Sequence, residues 1–387
     1  MSKSGVFAMS TSPVISIIVP CYNHARFLPA RLESISKQSF SDFEIILLDD
    51  ASPDNSQAVL QAFAKQESRV SVTDFNAQNG GCVNDQWIKG VHLARGDYVW
   101  IAESDDVSRH DFLEVLLQQF ESSPQISMAY SDSMIIDESG TPLMRYDYSS
   151  DDYKNRWQNN FVLEGKTLIN EHLVFKNVIP NVSAVLFKKN NLKAALQKST
   201  MKYCGDWMCY VRVLSNSAIA YVNQPLNFFR AHVQSTRWHN QDSYKVALME
   251  KKAILKEIKR LEIPDSLENI SRSFRRMFKN RHKFKRISKL YNVLDSSIAC
   301  NDSVALYGFN DISEYLLLDF SPQIRFSVIF DNDEDKQGTE KNGVPVKSLT
   351  KEWLEDIDVV VICSFAYIDE MRASLQALRF RGNVLTL

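Results

Sequence analysis

Glu103-Ser104-Asp105-Asp106 places three carboxylates within four residues, directly after the apolar run Tyr98-Val99-Trp100-Ile101-Ala102. Acids that follow a buried strand are held at its end with little freedom. A divalent cation needs oxygen donors fixed in this way, with its other positions left to phosphate and water. Such an ion would offset negative charge growing on a departing diphosphate. Read alone, the run is equally a solvated acidic loop. Other features lie close by in kind. Asp49-Asp50 ends a second apolar run that starts at Phe43. Pro20-Cys21-Tyr22-Asn23 ends a third and offers a ring able to stack on a base. Asn79-Gly80-Gly81 allows backbone to approach a ligand closely.

The elements that must position these groups alternate in type. Val14–Pro20, Phe43–Asp50, Val70–Phe75 and Tyr98–Ala102 read as strands. Between them, Phe27, Leu28, Leu32 and Ile35 recur at helical spacing, and Asn55–Gln66 and Gln86–Ala94 read as helices. This rhythm predicts an α/β fold with a mostly parallel sheet covered on both faces. Ligands bind such sheets beyond the carboxyl ends of the strands, which is where the polar clusters fall. From 107 to 237 the pattern is mixed, with strands at Ser127–Tyr130 and Ser183–Phe187, and reads as the half of the domain that builds an acceptor site.

Three segments carry a family resemblance: Ser16-Ile17-Ile18-Val19-Pro20-Cys21-Tyr22-Asn23, then Gln38 through Ile46, then Asp49-Asp50-Ala51-Ser52-Pro53-Asp54-Asn55-Ser56. With Gly96 through Asp106, their order and spacing resemble the family 2 glycosyltransferases over roughly the first 120 residues. The resemblance implies a GT-A fold, a nucleotide-sugar donor, Mn2+ or Mg2+, and inversion at the anomeric carbon. It implies nucleoside contacts from Pro20, Tyr22 and Asp50, with Asn23, Gly81 and Ser104 also on the donor side. Asp105 matches the metal ligand of that family's Asp-x-Asp motif. Glu103 stands where the first Asp of the motif usually does, and Asp106 falls on the ribose or the donor sugar. Tyr203-Cys204-Gly205-Asp206-Trp207 matches the segment whose acid opens a helix and takes the acceptor proton, so Asp206 is the expected base; the plainer alternative is a helix cap. Pro225 through His232 resembles the segment that returns a histidine to the metal, which makes His232 a second candidate ligand. Asn181 and Ser183, after Pro180, resemble the acceptor side, and Trp207 and Trp87 are candidates to line the sugar site or to pack in the core. His24, His92, His110, His172, His239 and His282 have no such context and read as structural or exposed.

Residues 1–12 read as a flexible leader without a signal-peptide pattern, 13–238 as the GT-A domain, 239–301 as a helical basic linker and 302–387 as a small Rossmann-like α/β domain. Between Arg272 and Lys289 lie nine Lys or Arg and no acid, interleaved with Phe274, Met277, Phe278 and Phe284. That stretch suits either peripheral contact with an anionic membrane or a solvated linker helix. The C-terminal domain keeps only Gly308 of a dinucleotide fingerprint, which favours a docking role over NAD binding. The net charge of −2 over 387 residues gives no general pull toward nucleic acid. The six cysteines are scattered, without zinc spacing, as in a reduced cytoplasmic protein. No apolar run approaches a spanning length. The expected function is transfer of a sugar, from a UDP-sugar by family preference, to a saccharide or lipid-linked acceptor in bacterial-type surface polysaccharide synthesis. The expected place is the cytoplasm, at the inner face of the plasma membrane, as a monomer or homo-oligomer. The competing reading is a catalytically silent nucleotide-binding scaffold. A nucleotidyltransferase would bring a glycine-rich basic phosphate loop near the N-terminus, which the sequence lacks.

Overall fold

A computed structural model of the chain describes residues 12–146, 156–197, 201–232, 241–264, 266–273, 294, 297–299, 302–310, 312–313, 316–317, 324–341, 343–364 and 366–386. Residues 1–11 of the leader, His239 and the basic stretch from 274 to 289 lie outside the described residues. The chain divides into two compact units. The first takes in Met1–Ile136, Gly140–Arg230 and Met249–Phe274, and the second Asp137–Ser139, Ala231–Leu248 and Arg275–Leu387.

The first unit is built on a ten-stranded sheet. Its strands are β1 (Ile15–Cys21), β2 (Phe43–Asp49), β3 (Val70–Phe75), β4 (Tyr98–Ile101), β5 (Val107–Ser108), β6 (Ile126–Ile136), β7 (Pro142–Arg145), β8 (Phe161–Glu164), β9 (Val185–Lys188) and β10 (Ala218–Arg230). The order is β3-β2-β1-β4-β9-β6-β10-β5, with β7 on β6 and β8 on β10. Strands β1 and β2 are buried at every position, which is why they read as continuous apolar runs rather than alternating ones. Helices α1 (Leu28–Ser36), α2 (Ser56–Gln66), α3 (Val83–Leu93), α4 (Phe112–Gln119), α5 (Gly165–Leu168), α6 (Lys189–Ala195) and α7 (Gly205–Leu214) accompany the sheet in chain order, and of α8 (Gln241–Arg260) the part from Met249 onward belongs to this unit. Helix α3 lies tight on β1: a Cβ at Gly90 would come 2.4 Å from Ile18 Cγ2.

Register explains how distant segments meet. Strands β2, β1 and β4 are parallel, with Cys21 opposite Asp49 and Ile18 opposite Ile101, so their carboxyl ends form one edge. Strand β9 is antiparallel to β4, with Trp100 opposite Leu186, and so begins at that edge. The turn of 3-10 helix ahead of it, Val182–Ala184, therefore falls beside the residues that follow β4. Strand β6 is antiparallel to β9 and parallel to β10, so β10 also ends there, at Arg230.

The second unit carries a six-stranded sheet in the order β13-β14-β12-β11-β15-β16. Its strands are β11 (Val304–Tyr307), β12 (Phe326–Phe330), β13 (Glu340–Lys341), β14 (Val344–Lys347), β15 (Val359–Ile362) and β16 (Asn383–Thr386), parallel except at β13. After β12, the Asp331 carboxylate is taken up by the Phe309 N–H at 2.5 Å and by Lys336 at 3.6 Å. Among the described residues, no helix is long and apolar enough to cross a membrane.

Candidate active site

The acidic run turns out of β4 over a buried polar network. Arg31, fully buried on α1, donates from Nε to the Glu103 carbonyl at 2.7 Å and from Nη2 to Ser183 Oγ at 3.2 Å. The Ser183 hydroxyl oxygen also accepts the Glu103 N–H at 3.1 Å, and the Ser183 carbonyl accepts Trp100 Nε1 at 2.8 Å. Asn181 Nδ2 donates to Asp106 Oδ2 at 2.6 Å, and the Arg230 N–H donates to Asp106 Oδ1 at 2.9 Å. Arg230 Nε reaches the Asp105 carbonyl at 2.7 Å. Segments more than seventy residues away in sequence thus fix the backbone of residues 103–106 from three sides. Asn181 and Ser183, expected on the acceptor side, lie behind the run and brace it.

The carboxylates differ in environment. Burial, then the neighbouring Asp105, pushes Glu103 up to about 8, and its Oε1 accepts Trp87 Nε1 at 2.8 Å. Asp106 is pushed up to about 6 by burial and by Asp105, against the pull of Arg31. Arg31 itself is lowered to about 10 by burial, which the surrounding acids oppose. Positive charge placed before the run would relieve this crowding of acids. Asp105 is less buried than Asp106 and is the carboxylate of the run that clusters with histidine.

That cluster is His24, Asp105 and His232, whose ligand atoms lie within 4.8 Å of one another. His232 follows the last residue of β10 by two positions, so the chain holds it within about 7 Å of that strand end. Two imidazoles and a carboxylate are a donor set that suits a divalent ion. His24, expected from the sequence to be structural or exposed, is tied by its Nδ1 to Ser104 Oγ at 2.8 Å. The clue available in the sequence was its position two residues after Tyr22, in the loop that leaves β1.

The nucleoside candidates sit on the neighbouring loops. Asp50 is buried, and its Oδ1 accepts Asn76 Nδ2 at 2.6 Å, the Gly80 N–H at 3.0 Å and Gln86 Nε2 at 3.0 Å. It therefore draws the 76–82 loop and the first turn of α3 to the strand edge. Gly81 has φ +72, a conformation that glycine adopts without strain. Pro20 is buried within β1, whereas Tyr22 is 46% exposed. Asn23 and Ala51 both have φ 57, so each chain turns out of its strand through the left-handed region. The Asn23 N–H is held by Ser52 Oγ at 2.9 Å, which joins the two loops.

Asp206 lies in the first turn of α7. Its Oδ1 accepts the Trp207 N–H at 2.7 Å and its Oδ2 accepts Asn177 Nδ2 at 3.0 Å. Burial pushes the carboxyl up to about 6, against those hydrogen bonds. Tyr210, one turn further on α7, is fully buried, and burial, then the charge of Asp206, raises its hydroxyl well above the usual range. Trp207 is buried and donates from Nε1 to the Leu173 carbonyl at 3.0 Å; Trp87 is likewise buried.

Residues 16–176 match glycosyl transferase family 2. Glycosyltransferase GlyG of Streptococcus pneumoniae serotype 4 is 39% identical over 108 residues, 28% of this chain and 35% of that protein. The putative teichuronic acid biosynthesis glycosyltransferase TuaG of Bacillus subtilis is 29% identical over 134 residues, 35% of this chain and 52% of that protein. The chain thus spans a third to a half of the length of these relatives. The crystal structure of S. aureus TarS 1-349 in complex with UDP-GlcNAc superposes with a TM-score of 0.51 at 15% identity, over 74% of this chain and 76% of that one. That likeness shows the fold, a GT-A sheet.

Proposed function

Starting from a chain that carries a family 2 glycosyltransferase domain over residues 16–176, we propose that it transfers a sugar with inversion from a nucleotide-sugar. The acceptor is a saccharide or lipid-linked saccharide in surface polysaccharide synthesis, the class of process named for TuaG. UDP is the favoured nucleotide, since TarS, of similar fold, holds UDP-GlcNAc.

The observation that supports this reading is the acidic run at the end of β4, whose residues are held by Arg31, Ser183, Asn181 and Arg230 at the edge where the strands end. Asp105, His24 and His232 would hold Mn2+ or Mg2+, and such an ion supplies positive charge for the diphosphate as it leaves. Tyr22 offers its exposed ring to the base. Asp50 fixes the 76–82 loop, so that Gly81 backbone can approach the nucleotide. Glu103 faces the donor sugar from a backbone that Arg31, Ser183 and Asn181 hold still, while Asp106, expected on the donor, is turned inward to Arg31, Asn181 and the Arg230 N–H and braces the run. Asp206 takes the proton of the acceptor hydroxyl as that oxygen attacks the anomeric carbon from the side opposite the diphosphate. A carboxyl raised to about 6 is ionised near neutrality yet basic enough to accept a proton in the transition state. The basic stretch 272–289 offers an anionic membrane surface a place to bind, which suits a lipid-linked acceptor.

The test is turnover across UDP-, GDP- and dTDP-sugars with Mn2+, comparing wild type with Asp206→Asn. The expected result is hydrolysis or transfer from one donor class, lost in the variant while UDP still binds. Nucleotide binding without turnover of any donor would favour the silent scaffold instead.

A further inference from the structure

Helix α8 reaches back to the segment that presents Asp206. Its Glu250, 7% exposed, accepts three successive backbone N–H groups: Lys202 on Oε1 at 2.7 Å, Tyr203 on Oε2 at 3.0 Å and Cys204 on Oε2 at 2.9 Å. Residues 202–204 lead directly into α7, and no side chain of its own N-cap residue, Cys204, closes that helix. Asp206 spends its oxygens on the Trp207 N–H of its own turn and on Asn177 Nδ2, not on residues 202–204. Lys251, the next residue of α8, donates to the Phe175 carbonyl and lies 5.7 Å from the Trp207 ring. Two adjacent α8 residues therefore fasten both chain segments around Asp206: the lead-in to α7, and the stretch before Asn177, whose amide holds Asp206 Oδ2.

We propose that Glu250 is a positioning residue for the reaction: by binding the N–H groups of residues 202–204 it sets the place and direction of the Asp206 carboxylate. This rests on the reading of Asp206 as the base. A carboxylate that accepts three N–H groups at 2.7–3.0 Å forms strong, charge-assisted hydrogen bonds, and a buried one is not readily replaced by water. A shift of about 1 Å in a reacting group can cost about 100-fold in rate, so the clamp matters although Glu250 touches no substrate. Its charge also acts on Asp206 directly, as one contribution to the raised carboxyl. The other groups that sense or flank Asp206 are the Cys204 and Cys209 thiols and Tyr210 of the α7 region, Lys251 of α8 and the neutral Asn177.

The experiment uses the full chain as wild type, Glu250→Gln, Glu250→Ala and Asp206→Asn. Amide hydrogen exchange is followed at residues 202–206, with β1 amides as the control. UDP binding with Mn2+ is measured, along with turnover of whichever sugar nucleotide the wild type hydrolyses. Glu250→Gln keeps the size but turns an amide toward N–H donors. The expected result is exchange at 202–204 faster by about tenfold or more, β1 unchanged and UDP affinity unchanged. kcat should fall by about 100-fold while the donor KM stays within about twofold. The acid limb of the kcat profile should move to lower pH in Glu250→Gln, a shift that loosening alone does not produce. Glu250→Ala should lose more activity than Glu250→Gln. Unchanged exchange at 202–204 in Glu250→Ala overturns the proposal, as does full kcat in that variant. If Asp206→Asn keeps full turnover, the base assignment fails instead, and the exchange data still decide whether Glu250 clamps the segment.

Discussion

Arg31 and Asp106 face each other inside the first unit, with Nη2 3.8 Å from Oδ2 and neither side chain meaningfully exposed. The two charges hold the acidic run from beneath, and Arg31 also binds its backbone at Glu103. Removing one member leaves the other buried and uncompensated, at a cost of about 3–5 kcal/mol. Arg31→Met should therefore lose that much stability in urea unfolding. Arg31→Lys keeps the charge but not the fork of donors, so it should fold with a smaller loss and bind UDP with Mn2+ more weakly. Unaltered unfolding of Arg31→Met would mean that the pair does not brace the site.

Asp50 gathers three donors onto one oxygen, two from the loop after β3 and one from Gln86 on α3. Asp50→Asn replaces one acceptor oxygen by an NH2 group among N–H donors. We expect nucleotide affinity to fall by about tenfold, the equivalent of about 1.4 kcal/mol, in a calorimetric titration with UDP. Wild-type affinity in this variant would place the nucleotide elsewhere.

The raised carboxyl of Asp206 has two consequences of defined sign. Activity needs the ionised form, so kcat should fall as pH drops below about 6, and log kcat should follow a single ionisation there. For stability, the folded protein holds the proton more tightly than the unfolded chain. The stabilising effect of that proton is full below the unfolded value, near 3.8, and is lost as pH rises through about 6. Asp206→Asn removes the cost of ionisation and should raise stability at pH 7.5 by about 1–3 kcal/mol. A loss of stability on that substitution would contradict the desolvated environment assigned to Asp206.

His24 joins Asp105 and His232 in the cluster suited to a cation. His24→Ala should weaken Mn2+ affinity by about tenfold or more while leaving UDP binding without metal unchanged. Its Nδ1 contact with Ser104 gives an independent check, since Ser104→Ala should weaken the metal to a lesser degree. Equal Mn2+ affinity in wild type and His24→Ala would remove His24 from the ligand set.

Much of the first unit was legible because its central strands are buried on both faces and spell out unbroken apolar runs. Strand β3 came out at Val70–Phe75 as expected, while β6 extends to Ile136, well past the expected Tyr130. Its later residues, Ser131 to Ser133, are buried polar groups that hydropathy reads as surface. The acidic run and Asp50 were visible as acids ending apolar runs. Arg31 was not, although it breaks the apolar stripe Leu28, Leu32 and Ile35 on the same face of α1. A charge in the middle of a buried stripe marks a paired buried ion, and that pattern was the available signal. Glu250 left no trace in the sequence: its partners are backbone N–H groups 46 to 48 residues away, and backbone has no sequence signature. Asn181 and Ser183 were expected on the acceptor side. Their direction, toward the acids, depends on the antiparallel pairing of β9 with β4, which periodicity does not encode.

The central claim is that Asp105, at the end of β4, holds a divalent cation for a nucleoside diphosphate. The direct measurement is electron paramagnetic resonance of Mn2+ titrated into the full chain with UDP, for wild type and Asp105→Ala. The account predicts stoichiometric Mn2+ binding in the wild type, strengthened by UDP, and its loss in Asp105→Ala with the fold intact by circular dichroism. Equal Mn2+ binding by the two proteins would contradict it.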